Sequence, residues 1–231
     1  MKKLLAKVYE NLWNGYAKKL NKKFGQSSLY GGFYLDPIDL KKLIDVFDIS
    51  QDIKIDLSNK KYYENTKLSA TALETLNDNN KYKEGRNFLE IVKTFLISND
   101  KSIKNCIKSN YRVVNIRAWK MLPSKRSFGP SDFHKDGLRP AHMKIMIYLS
   151  PLNLEYGTLQ FLDQPPLVKD AGYVLVFQNS DIVHRAIPGD KYPRKLIELT
   201  VQKTFKDFHS APKTGNCNDR NLKLPVLVYL K

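Results

Sequence analysis

The sequence predicts a mainly β protein with a helical N-terminal part, an α+β chain whose helices cover a β-core. Two observations carry this. Before residue 110, apolar residues recur at three-to-four spacing, the period of helices with one buried face. From Tyr111 onward the chain breaks into short β-branched and aromatic runs separated by Pro, Gly, Asn and Asp. That rhythm belongs to an antiparallel sandwich or barrel rather than to alternating strands and helices. The predicted division is a helical region over 1–110 packed on a core over 111–231, the two forming one structural unit.

Residues 2–24 read as an amphipathic helix, with Leu4, Val8, Leu12 and Tyr16 as its apolar stripe and lysines on the other sides. Such a helix suits a membrane surface, nucleic acid, or docking onto the chain's own core with its lysines in water. The reading adopted is docking. Gly25 to Gly32 reads as a Ser/Gly-rich connection. Asp36-Pro37 is a helix start, an N-cap followed by a first-turn proline. The helix Pro37–Phe47 then buries Ile38, Leu40, Leu43 and Ile44. Residues 48–68 are polar and read as a loop. Helical patterns follow over Ser69–Leu76 and Gly85–Ile97, the second with Phe88, Ile91, Val92 and Phe95 on one stripe. Six strands complete the chain: Val113–Trp119, Lys144–Leu149, Gly157–Leu162, Gly172–Phe177, Ile182–Ile187 and Arg194–Phe205.

Composition bounds the setting. At 231 residues the chain is long enough for one sizeable core. A formal charge of +16 allows nucleic acid, an anionic surface or an anionic substrate, and selects none of them. Two distant cysteines, Cys106 and Cys217, make neither a disulfide framework nor a zinc spacing. No apolar run approaches membrane-spanning length, and Lys7 and Glu10 interrupt the signal-like start. The expectation is a soluble cytoplasmic protein.

The chemistry gathers at Phe133-His134-Lys135-Asp136-Gly137. In an extended segment His134 and Asp136 leave on the same face. An imidazole and a carboxylate aimed at one point are two thirds of a facial triad, whose usual occupant is non-haem Fe(II) with three positions left open. The same pair also reads as a solvated loop. His184, among Ile182, Val183 and Ala186 on a predicted strand, is the candidate third ligand or else a hydrogen-bonded core residue. Arg194 starts the next strand, where a guanidinium can hold the far carboxylate of a chelating 2-oxo acid.

These pieces, in this order, resemble a family. From Tyr111 to Gln202 the chain is similar to the Fe(II)/2-oxoglutarate-dependent oxygenases, most closely their phytanoyl-CoA dioxygenase-like branch. The resemblance rests on Phe133 to Asp136, Met143 to Ser150, Tyr156 to Phe161, Gly172 to Phe177, His184 to Pro188, and Arg194. It implies a double-stranded β-helix (jelly-roll) core, with His134, Asp136 and His184 ligating Fe(II). It further implies that Arg194 binds the C5 carboxylate of 2-oxoglutarate, with Lys195 as the alternative one residue on. O2 is the second co-substrate, and succinate and CO2 leave as hydroxyl enters a C–H bond. Asn115, Arg117 and Trp119 either line the cavity or are ordinary sheet residues.

Two departures from the family pattern stand out. Leu162-Asp163-Gln164-Pro165-Pro166 replaces the usual Pro-Gly-Ser-His turn after Phe161, suggesting a more open site, and residues 1–32 have no counterpart. The retained Asp136 argues against halogenation. The final strand lacks the Arg-Asn-Thr-Arg pattern of the alkylation-repair branch, which disfavours a nucleic-acid substrate. The expected substrate is a small or medium-sized, anionic molecule. The competing reading is a non-catalytic basic jelly-roll module that binds nucleic acid or a protein partner.

Overall fold

The computed structural model describes residues 2–27, 30–50, 68–71, 83–121, 123, 131–137, 139–178 and 180–205. The helices are α1 (Lys2–Phe24), α2 (Pro37–Ser50), α3 (Lys83–Ser98) and α4 (Asp100–Ile107). The strands are β1 (Tyr30–Tyr34), β2 (Leu68–Thr71), β3 (Asn110–Met121), β4 (His142–Tyr148), β5 (Gly157–Phe161), β6 (Tyr173–Phe177), β7 (His184–Pro188) and β8 (Arg194–Thr204). Among the described residues no helix is long and apolar enough to cross a membrane.

Every pairing is antiparallel, and the strands form two sheets. The main sheet runs β1-β6-β4-β8-β3-β2, and the minor sheet pairs β5 with β7. Alternation along the strands sorts the core into two layers. Ile145, Ile147, Val174, Val176, Ile197, Leu199 and Val201 leave one face of the main sheet. They pack with Leu43 and Phe47 of α2, Val92 and Phe95 of α3, and Ile103 and Ile107 of α4. Met146, Tyr148, Leu175, Phe177 and Leu196 leave the other face and meet Leu159 and Phe161 of the minor sheet. The candidate site lies in this second layer. Gly157 and Gly189 cross where β5 begins and β7 has just ended. A Cβ on Gly157 would stand 2.7 Å from the Gly189 nitrogen, and its φ of +94° is one that side chains rarely adopt.

The six predicted core strands all form, with ends shifted by a few residues. The first half of the chain needs more correction. The buried stripe of α1 is Trp13, Tyr16 and Leu20, packed on Ala141, while Val8 and Leu12 are exposed. Among the described side chains of α1, those from Trp13 onward meet the sheet end, where the Tyr16 hydroxyl donates to the Lys203 carbonyl at 3.1 Å; the side chain of Leu4 lies outside the description. Part of the expected Gly25–Gly32 connection is strand: Tyr30 to Tyr34 pairs with β6. The two glycines permit this, since a Cβ on Gly32 would overlap the Tyr173 hydroxyl.

Asp36 caps α2 as expected, its Oδ1 accepting from the Ile38 amide at 2.8 Å. Ile38 itself is exposed, because the stripe through Leu40, Leu43, Ile44 and Phe47 lies on the other side of the helix. α2 continues to Ser50, and the rest of the expected loop, 51–67, lies outside the described residues. Leu68 to Thr71 is a strand where a helix was expected, because it finds an edge in β3; residues 72–76 lie outside the described residues. The expected helix over 85–97 forms as α3 with Val92 and Phe95 buried; the side chain of Phe88 lies outside the description. Helix α4 was not expected.

His142, at the start of β4, is fully buried against Trp13, with ring centroids 5.0 Å apart. Burial pushes its pKa down to about 4 from 6.5, against backbone hydrogen bonding that acts the other way. The unfolded chain therefore takes up a proton that the folded one refuses, and stability present at neutral pH drains away as pH falls from 6.5 toward 4. At pH 4.5 the metal-free protein should lose about 2 kcal/mol through this group. Urea unfolding of wild type and His142→Gln at pH 7 and 4.5 measures it. The wild type should lose the more stability, and equal losses would refute the assignment.

Candidate metal centre

The segment carrying His134 belongs to no strand, yet it is tied to the minor sheet by one bridge. The His134 amide donates to the His184 carbonyl and the His184 amide donates back to the His134 carbonyl, both at 2.9 Å. A reciprocal pair of this kind sets two residues directly opposite each other with side chains on one face. The imidazole centroids accordingly lie 4.6 Å apart. Asp136, two residues on, returns to the same side.

The three side chains converge. Nε2 of His134 lies 3.4 Å from Oδ1 of Asp136, and Nε2 of His184 lies 3.8 Å from Oδ2. One potential donor atom from each lies within 4.8 Å of the others. Donors held at about 2.1 Å on one octahedral face are about 3 Å apart, so a small inward closure suffices for a shared cation.

The imidazoles are also oriented for it. Nδ1 of His134 lies 2.8 Å from the Asp132 carbonyl, and Nδ1 of His184 lies 3.0 Å from that of Ile182. A carbonyl only accepts, so Nδ1 carries a proton on both rings and Nε2, the nitrogen turned toward Asp136, is the one left for a metal. Burial lowers the pKa of His184, which favours the neutral ring a metal requires. His184 is held from behind as well: Phe177 meets its ring edge-on at 5.1 Å, Phe161 packs on Phe177, and Tyr30 of β1 stacks on Phe161 at 4.5 Å. Tyr30 also donates to Gln164 at 3.0 Å, so β1 packs on the turn that departs from the family pattern.

Two further groups crowd Asp136. Nζ of Lys144, on β4, lies 2.7 Å from Asp136 Oδ2 and 3.4 Å from Glu198 Oε1, on β8. Burial works against the charge on Lys144, but the carboxylates of Glu198 and Asp136 more than offset it and its pKa is raised. Neither residue was singled out in the sequence. Strand alternation assigns each of them a face, but the local pattern does not say that this face is the inward one.

Arg194 is 3% exposed and lies between the sheets. Its guanidinium donates to the Thr158 carbonyl at 2.9 Å and contacts the sulfur of Met121. Nε has no partner, and among the described residues no carboxylate pairs with the group. Burial accordingly lowers its pKa. The Tyr148 hydroxyl is fully buried without a partner, its pKa raised by burial, and it faces Arg194 electrostatically. Buried polar groups are almost always satisfied, so an open guanidinium nitrogen near an open hydroxyl marks a place for an acceptor. Tyr148 is a candidate that the sequence shows only as part of a strand.

Lys195 follows Arg194 on the opposite face of β8 by strand alternation. Asn115 lies opposite Thr200 in the β3–β8 register, Arg117 opposite Glu198 and Trp119 opposite Leu196. The register shift at Val113/Asn115 produces that match, because it moves the later odd-numbered residues of β3 opposite the inward positions of β8. The side chains of these three lie outside the description.

No protein-family model matches the chain, and no curated sequence matches it. Solved structures do. The chain is similar to the non-heme alpha ketoglutarate dependent epimerase SnoN from nogalamycin biosynthesis, with a TM-score of 0.54 and 12% identity over 82% of this chain and 84% of that one. AviO1 from Streptomyces viridochromogenes gives 0.52 and 12%, over 84% and 96%. HygX from Streptomyces hygroscopicus, crystallised with nickel and 2-oxoglutarate, gives 0.51 and 8%, over 78% and 85%. At such identities the likeness is one of fold.

An unpaired buried guanidinium lowers stability by several kcal/mol, more than the roughly 1.5–3 kcal/mol that its bond to the Thr158 carbonyl returns. Arg194→Met, of similar length and apolar, should therefore be at least as stable as wild type in urea without added 2-oxo acid. A clear drop in the unfolding midpoint would mean the charge is compensated where it lies.

Proposed function

We propose that the chain is an Fe(II)- and 2-oxoglutarate-dependent oxygenase with a double-stranded β-helix (jelly-roll) core. It hydroxylates a C–H bond of a small or medium-sized anionic molecule. One observation carries the reading: two imidazole Nε2 atoms and one carboxylate face a common point, with both rings locked by Nδ1 bonds to the backbone. Two nitrogens and one oxygen on a single side suit a non-haem Fe(II) centre, which leaves three positions open. The partnerless atoms of Arg194 and Tyr148 suit the distal carboxylate of 2-oxoglutarate. The metal and co-substrate crystallised with HygX, and the cofactor named for SnoN, support the same assignment. The sequence pieces point to the phytanoyl-CoA dioxygenase-like branch, and the +16 charge favours an anionic substrate.

In this reading His134 and His184 bind the metal through Nε2 and Asp136 binds through one carboxylate oxygen. Arg194 takes the distal carboxylate of 2-oxoglutarate, with Tyr148 donating a second hydrogen bond. Iron and 2-oxoglutarate together supply the oxidising power: O2 is consumed, succinate and CO2 leave, and one oxygen atom enters the substrate C–H bond. Met146, Leu159, Leu175 and Leu196 wall the space between the sheets and keep water from it.

Anaerobic addition of Fe(II) and 2-oxoglutarate should produce a weak visible metal-to-ligand charge-transfer band. Admitting air with ascorbate should then release succinate, and His134→Ala should do neither. If the wild type shows no band and forms no succinate, the oxygenase reading is wrong.

Arg194→Ala should weaken 2-oxoglutarate binding by about 1.5–3 kcal/mol, the worth of a charge-assisted contact, and leave Fe(II) affinity within a few-fold. Lys195→Ala should change little. The opposite pattern, read by calorimetric titration, would move the anchor to Lys195.

A further inference from the structure

A second carboxylate, this one buried, stands beside the three converging side chains. Lys144 lies opposite Thr200 and Glu198 lies opposite Met146 in the β4–β8 register, so their side chains are diagonal neighbours on the inward face. The single ammonium of Lys144 reaches Oδ2 of Asp136 at 2.7 Å and Oε1 of Glu198 at 3.4 Å. Glu198 is 8% exposed. A carboxylate so placed, one ammonium away from a metal ligand, is itself a good ligand for a divalent cation. Four protein ligands, two of them anionic, would close one of the three positions that a co-substrate and O2 require.

We propose that Lys144 is a positioning residue that keeps Glu198 off the metal. Its ammonium holds Glu198 on one side and Oδ2 of Asp136 on the other. Asp136 then binds through its remaining oxygen, Glu198 does not bind, and the centre stays open. Resting on the metal centre proposed above, this gives a buried lysine beside a cation site a purpose its own repulsion of the metal would otherwise oppose. Lysine is well suited to this, being a compact charge with three donors, enough for two carboxylates at once.

The consequence runs against ordinary expectation for loss of a buried contact. Removing Lys144 takes its positive charge away from the two carboxylates that face the cation. Lys144→Met should bind Co(II) about ten-fold more tightly by anaerobic absorption titration. The Co(II)-loaded variant should bind 2-oxoglutarate about ten-fold more weakly by calorimetry, because Glu198 occupies a position the co-substrate needs. Lys144→Met/Glu198→Gln should recover 2-oxoglutarate affinity to within about three-fold of wild type. If Lys144 merely supports the fold, Lys144→Met loses metal and co-substrate together, and that result overturns the proposal. If Lys144 itself contacts 2-oxoglutarate, the double variant stays weak, which overturns it equally. His134→Ala separates this proposal from the underlying one. A wild type that binds Co(II) no better than His134→Ala refutes the centre itself. A wild type that binds well, with Lys144→Met unchanged, refutes only the role of Lys144.

Discussion

Two backbone hydrogen bonds between His134 and His184 hold the candidate site together. The segment around His134 has no strand of its own, so this bridge sets the face on which the imidazole leaves, and the Nδ1 bond to the Asp132 carbonyl then sets the ring's rotation. A slip of one residue would send His134 to the other face and bring Phe133 or Lys135 in its place. In register, the bridge presents both imidazoles and Asp136 together. The other constraints follow from it: the Nδ1 bonds set the tautomers, and the Phe177–Phe161–Tyr30 stack keeps His184 from retreating.

The main sheet then divides its labour by face. Ile197, Leu199 and Val201 of β8 are fully buried against helices, an apolar layer with nothing unsatisfied in it. The residues between them and at either end, Arg194, Glu198, Thr200 and Gln202, are also buried yet polar, and β4 adds the buried His142 and Tyr148 and the half-buried Lys144 to that same face. Placing so many hydrogen-bonding groups between two sheets is costly unless partners are found for them. Glu198 and Lys144 find each other, and Arg112 donates to Gln202 at 2.6 Å. Arg194 Nε, the Tyr148 hydroxyl, His142 Nε2 and Gln202 Nε2 have none. A face built for stability alone would repeat the first pattern on both sides of β8, and the polar inward face is the one that the proposed function uses.

The same contrast explains what was readable in the sequence. The strands of the second half were legible because each is a short apolar run ended by Pro, Gly, Asn or Asp, a local signal that needs no tertiary partner. The identities of His134, Asp136, His184 and Arg194 were legible as a spaced set. Their convergence could be read only as what the family resemblance implies, because it depends on a bridge between residues far apart in sequence. Lys144 and Tyr148 were hidden for a plainer reason: strand alternation says which residues share a face, not that a charged or hydroxylated one is inward. Leu68–Thr71 escaped for the converse reason, since its helical pattern is weak and the edge of β3 supplied hydrogen bonds that local propensity does not foresee.

The basic N-terminal helix is best understood through what it covers. Trp13, Tyr16 and Leu20 dock on Ala141 and His142, two residues ahead of Lys144 on the same strand. Tyr16 and Asn21 both contact Lys203 at the far end of β8. Helix α1 therefore closes the sheet at the end where β4 begins and β8 finishes, and it does so with the side opposite its charge. Lys7, Lys18, Lys19 and Lys22 remain exposed on that other side, while the Lys23 ammonium lies over the Phe24 and Phe205 rings. Packing and charge occupy separate surfaces of one helix. Its burial on the core accounts for why the helix forms, while its lysines contribute to the +16 of the chain without being required by the fold. A basic helix of this composition would read identically if it lay on a membrane; the buried Trp13 ring against His142 is what distinguishes docking.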